Sequence, residues 1–176
     1  MENENIEIKI ADIDEYQKCL DIRNKVFIEE QKVDKDIEID EHEKEATHFL
    51  VSVNERAVAT GRFRIKNSFL KFERMAVLKD CRGMKLGSKL LNYMKETGFE
   101  KYPRYLQITH AQKGAVSFYE KNGWVKIGKS FIEANIEHFL MINVLKDKKY
   151  IENLICFEDR SLDENIKKYL LSLISK

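Results

Sequence analysis

A glycine-containing turn offers the clearest chemistry in this sequence. Its seven residues, Arg82-Gly83-Met84-Lys85-Leu86-Gly87-Ser88, lie between an apolar strand pattern and a helical pattern. The first N–H groups of a helix have no partner within the helix, and the helix dipole adds partial positive charge there. Glycine lets a phosphate approach the backbone, while Arg82 and Lys85 add full charges. The pattern is compatible with a phosphate site, but alone it is weak evidence, because most turns of this kind only reverse the chain.

Three other side chains carry groups that could take up a proton. Glu73 stands just before the apolar run Met75-Ala76-Val77. Two interpretations stay open for it: a base whose pKa is raised by burial, or a structural ion pair with Arg74. His110 and His138 are rival bases, but a lone histidine is more often a structural residue.

Hydrophobic periodicity predicts the elements that must position these groups. The order of strand, glycine turn, helix and strand from 70 to 109 is typical of a right-handed crossover between parallel strands. The hairpin-like strands around it are expected to be antiparallel. We therefore predict an α/β (α+β) fold: a mixed, mostly antiparallel sheet with a central parallel β-α-β unit and helices on both faces. The predicted elements are strand 6–10, helix 13–30, strands 48–53, 57–65 and 69–78, the helix after the turn, strand 104–109, a helix ending at Asn122-Gly123, and strands 124–128 and 138–145.

Composition limits the classes of function. A chain of 176 residues is long enough for one domain with a sizeable core. Its 31 basic and 30 acidic side chains leave a charge of +1, so we expect no nucleic-acid or membrane partner.

The start of the sequence has no signal-peptide pattern. Cys19, Cys81 and Cys156 are too far apart for a disulfide framework or a zinc site, so we expect no metal and a cytoplasmic setting. Cys81 adjoins the turn but is interpreted as a bystander.

The last part of the chain, residues 147–176, is predicted to be a helical extension of a domain at 1–146. Ser161-Leu-Asp-Glu164 has the form of a capping box. The apolar face behind it comprises Ile166, Tyr169, Leu170 and Leu173. This face either docks on its own domain or forms a dimer contact, so a monomer and a homodimer both remain open.

Several ordered motifs resemble the GNAT superfamily of N-acetyltransferases. They are Met75-Ala76-Val77, the turn from Arg82 to Gly87, and Ala115-x-x-Phe118-Tyr119-x-x-Asn122-Gly123-Trp124. The likeness covers about residues 5 to 145. The chain is most similar to the small bacterial YjcF/ElaA-like branch, through Val26-Phe27-Ile28-x-Glu30-Gln31, Glu38-x-Asp40, Arg62, Glu73-Arg74 and His138. In the family turn, Arg/Gln-x-x-Gly-x-Gly/Ala, this chain has Lys85 at the first glycine and keeps Gly87 at the second.

The resemblance implies an enzyme that moves an acetyl group from acetyl-CoA directly to a primary amine of a small molecule. In the family, the pantetheine arm pairs with the strand edge that corresponds to Met75–Val77, where an N–H group also holds the thioester oxygen. Tyr119 matches the tyrosine whose hydroxyl protonates the leaving thiolate, although packing in the core is the alternative. Glu73 is the implied base, and Glu30, His110 and His138 are weaker candidates for substrate contact. The implied cofactor-binding residues are Met75, Ala76, Val77, Arg82, Gly83, Met84, Lys85, Leu86, Gly87, Ser88, Gln112 and Phe118.

Other interpretations of the function stay open. A catalytically weak acyl-CoA-binding regulatory or interaction module would keep the same fold, and succinyl-CoA is another conceivable donor. Acidic residues crowd the segment from Asp34 to Glu45, which either attracts a cationic amine or simply faces water.

Overall fold

The computed structural model describes residues 4–156 and 162–175. The strands are β1 (Ile6–Ile10), β2 (Thr47–Val53), β3 (Arg56–Lys66), β4 (Phe69–Val77), β5 (Leu106–Gln112), β6 (Val125–Glu133) and β7 (Ile136–Asn143). The helices are α1 (Tyr16–Arg23), which continues as a π-helical stretch over Asn24–Glu30, α2 (Lys35–Glu38), α3 (Leu86–Lys101), α4 (Val116–Lys121), α5 (Lys148–Cys156) and α6 (Glu164–Ile174).

The strands hydrogen-bond in the order β1-β2-β3-β4-β5-β7-β6. Strands β4 and β5 run parallel, and helices lie on both sides of the sheet. The predicted fold class is therefore confirmed. By its contacts the chain divides into two units, unit 1 with Met1–Arg64 and Phe72–Thr97, and unit 2 with Ile65–Lys71 and Gly98–Lys176.

Unit 1 contains the first antiparallel strands and the helix that follows β1. β1 pairs with β2, and β2 pairs with β3. The turn between β2 and β3 has Asn54 and Glu55 at positive φ values of 48° and 69°. Two such residues form the kind of tight turn that matches the twist of a hairpin. The helix packs its buried face on this sheet through Cys19, Ile22, Val26, Leu50, Ala76 and Leu78.

Unit 2 contains the antiparallel ladder β5-β7-β6 and the two C-terminal helices. Its buried cluster joins strand residues with residues of α5 and α6: Leu106, Ile108, Ile127, Ile142, Ile151, Leu154, Ile166 and Leu170. The apolar faces of α5 and α6 are therefore covered by their own unit, which favours docking over a dimer contact. A domain boundary at residue 146 stays a prediction.

The capping box predicted for the last helix is wrong in its N-cap residue. Helix α6 is capped by Asp163, whose Oδ1 accepts a hydrogen bond of 2.8 Å from the backbone N–H of Asn165. Aspartate caps a helix as well as serine does. The N-cap is therefore the residue directly before Glu164, where the helix begins. Ser161 lies outside the described residues. In the described ranges, no helix has the length and apolar character needed to cross a bilayer.

Candidate active site

The turn from Arg82 to Ser88 lies in unit 1 at the N-terminus of α3. Gly83 has a φ of +88°, and helix α3 begins at Leu86. The first helical hydrogen bond runs from the Lys89 N–H to the Lys85 oxygen, at 3.1 Å. Within residues 4–156 and 162–175, the backbone N–H groups from Gly83 to Ser88 make no hydrogen bond. A row of such groups at a helix N-terminus is suited to an anion such as a diphosphate.

Lys85, which replaces a family glycine, has the left-handed backbone conformation that glycine adopts readily. Its φ is +60°, and its side chain is exposed. A left-handed conformation costs a residue with a Cβ atom about 1 kcal/mol. The turn therefore keeps a glycine-like backbone at this position, with a lysine charge added.

Arg82 is already paired within unit 1. Its Nη1 and Nη2 atoms donate to the two carboxylate oxygens of Glu30, each at 2.7 Å, and its Nε donates to the Val77 oxygen at 3.1 Å. The Arg82 hydrogen bond holds the pKa of Glu30 below its usual value. The sequence predicted that the charge of Arg82 serves a phosphate. In the structure, the guanidinium group of Arg82 is bound by the carboxylate of Glu30.

Glu73, the predicted base, accepts hydrogen bonds from two arginines of β3. Its Oε2 lies 3.2 and 3.0 Å from Nε and Nη2 of Arg62, and 3.1 Å from Nε of Arg64. All three side chains are at most 8% exposed. Arg74, the ion-pair partner expected from the sequence, contacts Glu38 at 2.7 Å and Asp40 at 3.2 Å. These contacts favour the ion-pair interpretation of Glu73, with different arginines from the one predicted.

The acidic segment from Asp34 to Glu45 is only partly a solvated loop. Glu43 accepts hydrogen bonds from Arg23 at 2.7 and 2.8 Å and from Arg62 at 2.7 Å. Burial raises the pKa of Glu43, but the hydrogen bonds and charges of these arginines outweigh it and lower the pKa to about 2. Much of the segment therefore balances buried arginines, whereas its outer carboxylates, such as Asp34 and Asp36, face solvent.

Strand β4 approaches the turn with an irregular backbone. Arg74 has a positive φ of 57° inside the strand, which interrupts the regular alternation of side chains. Beyond it, Ala76 is buried, while Met75 and Val77 are partly exposed.

Tyr119 lies in unit 2, on α4, and is 6% exposed. Its ring packs edge-on against Phe118 and Trp124, with centroid distances of 5.2 and 5.6 Å. Burial raises the pKa of its hydroxyl to about 12, despite a hydrogen bond with Thr109 that lowers it. The hydroxyl is therefore protonated at neutral pH.

The remaining predicted residues of unit 2 lie on the ladder β5-β7-β6. Gln112 is the register partner of His138, and Phe131 is the partner of His138 on its other side. His138 is buried and stacks on Phe131, while its Nδ1 lies 2.8 Å from the Ile136 oxygen, as in a structural histidine. His110 stands two residues before Gln112 on the same face of β5, and its side chain is 25% exposed.

Cys81 adjoins the turn as a buried free thiol. Cys81 is 7% exposed, and desolvation by burial together with Asp80 raises the pKa of its thiol. A raised pKa keeps the thiol protonated and a weak nucleophile. No group of three or more His, Cys, Asp or Glu residues is placed to hold a metal ion in the described ranges.

A family model for the acetyltransferase (GNAT) domain matches residues 11–145. The chain belongs to the GNAT acetyltransferase family. The chain is 36% identical over 122 residues to an N-acetyltransferase of Bacillus subtilis named YjcF, a match that covers 69% of this chain and 86% of the relative. The predictions of the family and of N-acetyl transfer are thereby confirmed.

Solved GNAT structures share the fold. Escherichia coli ElaA superposes with a TM-score of 0.68 at 20% identity, covering 79% of this chain and 99% of ElaA. An acyl-CoA N-acyltransferase from Pseudomonas aeruginosa gives a TM-score of 0.69 at 19% identity, covering 81% and 100%. YjcF and ElaA together support the predicted branch of the family.

Sequence reasoning missed two side chains beside the predicted ones in this GNAT chain, Phe131 and Glu133. The His110 ring meets Phe131 edge-on at 4.8 Å, and Nδ1 of His110 lies 3.0 Å from Oε2 of Glu133. The predicted strand ended at Gly128, whereas β6 continues to Glu133. Phe131 and Ile132, an aromatic and a β-branched residue of the types enriched in strands, are the signal that would have extended the strand.

Proposed function

We propose that this chain transfers the acetyl group of acetyl-CoA directly to the primary amine of a small molecule. The observation that carries the proposal is the run of unpaired backbone N–H groups from Gly83 to Ser88 at the start of α3. Such a run fits the pyrophosphate of a CoA ester, because each N–H group can donate to a phosphate oxygen. Lys85, exposed beside them, adds a full positive charge.

The proposed donor supplies an acyl group activated as a thioester. The name of the Pseudomonas neighbour, an acyl-CoA N-acyltransferase, supports a CoA ester as donor. In the proposal, Met75, Ala76 and Val77 present backbone groups to the pantetheine arm, and Gln112 and Phe118 are further cofactor contacts. These assignments follow the family pattern.

Tyr119 is the proposed proton donor to the departing thiolate. A thiol has a solution pKa of about 8.5, so its release is helped by a neighbouring acid. The raised pKa of Tyr119, about 12, keeps its proton in place over the whole physiological range. Overall, the amine nitrogen forms a bond to the acyl carbon and the carbon–sulfur bond breaks. The ammonium group loses two protons: one is released to solvent, and the other replaces the proton that Tyr119 gives to the thiolate.

The acceptor is proposed to be a cationic amine such as a polyamine or an amino sugar. Asp34 and Asp36 support this class, because they are exposed and have no ion pair within the described part of the chain. Negative charge at an open surface raises the local concentration of a cationic substrate.

The test is a CoA-release assay against a panel of polyamines, amino sugars and lysine-containing peptides. We expect release with at least one small amine and little with the peptides. Tyr119→Phe should lower kcat about 100-fold while leaving the KM for acetyl-CoA within about twofold, since the hydroxyl acts only on the leaving group. Tyr169→Phe is the matched control, because Tyr169 packs against the core of unit 2 on α6.

Two outcomes would contradict the proposal. Tight binding of acetyl-CoA without release for any amine would favour an acyl-CoA-binding regulatory module. Release that prefers the lysine peptides would keep acetyl transfer and overturn the small-molecule acceptor.

A further inference from the structure

His110 and Glu133 form a pair in unit 2 that resembles the base and orienting acid of many enzymes. Nδ1 of His110 lies 3.0 Å from Oε2 of Glu133. The side chains are 25% and 44% exposed, so the pair lies near solvent. No hydrogen bond engages Nε2 of His110 within residues 4–156 and 162–175.

An irregularity in β6 places Glu133 beside His110. The register of β6 with β7 shifts between Ile127 and Phe131, and Gly128 has a φ of +70° there. A bulge of this kind bends the strand and re-aims the side chains that follow it. Phe131 and Glu133, two residues apart on one face, therefore both reach the His110 ring.

Glu133 is ionised and acts as an acceptor in this pair. The hydrogen bond from His110 is the largest cause that lowers the pKa of Glu133, and the charges of Lys71 and His138 lower it further. Burial acts in the opposite direction, and the resulting pKa is about 2. An ionised carboxylate has no proton to donate, so the hydrogen between the two groups belongs to Nδ1. The hydrogen bond at one imidazole nitrogen fixes which nitrogen is free, and here the free one is Nε2.

The contrast with Glu73 supports His110 as the proton acceptor. Glu73 receives three N–H bonds from Arg62 and Arg64 on one oxygen, in a setting that is at most 8% exposed. A carboxylate held by two arginines favours its charged form and takes up a proton weakly. His110 carries no such cationic partner on its Nε2 side in the described part of the chain.

We propose that Glu133 is a positioning residue that holds His110 in the tautomer whose Nε2 takes a proton from the acceptor ammonium group. The proposal rests on the acetyl-transfer function proposed above. In this step an N–H bond of the ammonium group breaks, the proton binds Nε2, and the nitrogen keeps the electron pair with which it attacks the acyl carbon. The imidazolium then returns its proton to solvent.

Charged groups surround the pair. Glu133 faces His110 from β6, Lys71 lies 3.9 Å from Glu133, and His138 of β7 acts on the same carboxylate. Changing Glu133 to glutamine removes the charge that faces the ring, whereas aspartate keeps it.

The experiment compares kcat/KM from pH 5 to 9 for wild type, His110→Gln, Glu133→Gln and Glu133→Asp. We expect losses of about 100-fold for His110→Gln and 10- to 100-fold for Glu133→Gln at neutral pH. Glu133→Asp should recover part of the activity because it keeps the charge. The control is Glu137→Gln, a carboxylate of the same hairpin that pairs with Lys113 at 2.8 Å and should leave the profile unchanged.

A second readout keeps this inference separate from the proposed function. Nitrogen-15 NMR of the histidine rings reports which nitrogen carries the proton, without any substrate. We expect the Nδ1–H form for His110 in wild type and a mixture in Glu133→Gln. An active wild type whose kcat/KM is unchanged by Glu133→Gln would overturn the inference but leave acetyl transfer intact. An Nε2–H form in wild type would overturn it even if no amine is acetylated.

Discussion

Glu30 and Arg82 face each other in a bidentate ion pair in which both nitrogen–oxygen distances are 2.7 Å. The side chains are 37% and 41% exposed, so the pair sits at the protein surface. Because Arg82 begins the glycine-containing turn, a diphosphate bound at that turn would compete with Glu30 for the same guanidinium group. We therefore expect the carboxylate to lower the affinity of the turn for an anionic ligand.

Removing the charge of Glu30 should strengthen CoA binding. In Glu30→Gln the Arg82 guanidinium is released, and we expect the Kd for CoA to fall about two- to fivefold, as is usual for an exposed ion pair. The measurement is isothermal titration calorimetry at low and physiological salt. Binding should also become more salt-dependent, since one more cation contacts the phosphates.

The matched control for this change is Glu29→Gln. Glu29 is the exposed neighbour of Glu30, and it has no ion pair within the described residues. Glu29→Gln removes the same charge as Glu30→Gln but leaves the ion pair of Arg82 intact. Weaker binding in Glu30→Gln would show instead that Glu30 orients Arg82 for the ligand.

A glycine at position 85 should stabilise the fold. Lys85 has a φ of +60°, a conformation that glycine adopts without strain. Lys85→Gly should therefore raise the free energy of unfolding by up to about 1 kcal/mol, less the entropy that glycine adds to the unfolded chain. Lys89→Gly, the same side-chain change inside α3, should lower it by about 1 kcal/mol. Urea unfolding measures the free energy of unfolding of both variants. Changes of the same sign in the two variants would contradict a strained backbone at Lys85.

The sequence predicted the backbone of the site better than its charges. Periodicity and turn residues are local signals, so the glycine turn, the helix behind it and the central parallel β-α-β unit were predicted correctly. The partners of Glu73 did not, because Arg62 and Arg64 are 11 and 9 residues away and only the sheet brings them together. Glu133 was missed for a related reason: glycine at position 128 looks like the end of a strand, whereas the structure uses it in a bulge.

Glu43 should be among the most destabilising positions to neutralise. Its carboxylate contacts Arg23 and Arg62, both 1% exposed. Glu43→Gln leaves two buried cations short of a counter-charge, and breaking a buried pair in this way costs about 3–5 kcal/mol. Urea unfolding at neutral pH measures the loss. Glu41→Gln, whose carboxylate is 88% exposed, is the control and should change stability by less than about 0.5 kcal/mol.

The same carboxylate should make the fold sensitive to acid. The pKa of Glu43 is about 2 in the folded protein against a usual 4.5, because the arginine contacts outweigh burial. Between these two values the unfolded chain binds the proton more readily, so stability is present above pH 4.5 and is lost as the pH falls through about 2. Asp40, lowered to about 2 mainly by Arg62 against burial, adds in the same direction.

The measurement is the free energy of unfolding in urea from pH 7 to pH 3, in wild type and in Glu43→Gln. Glu43 alone should contribute a loss on the order of 3 kcal/mol over its whole window, part of which falls above pH 3. Because glutamine cannot titrate, the variant should start less stable and lose less on acidification, so the two curves converge towards low pH. Parallel curves would show that Glu43 titrates alike in the folded and unfolded chain, and that its contacts with Arg23 and Arg62 do not stabilise the charged form.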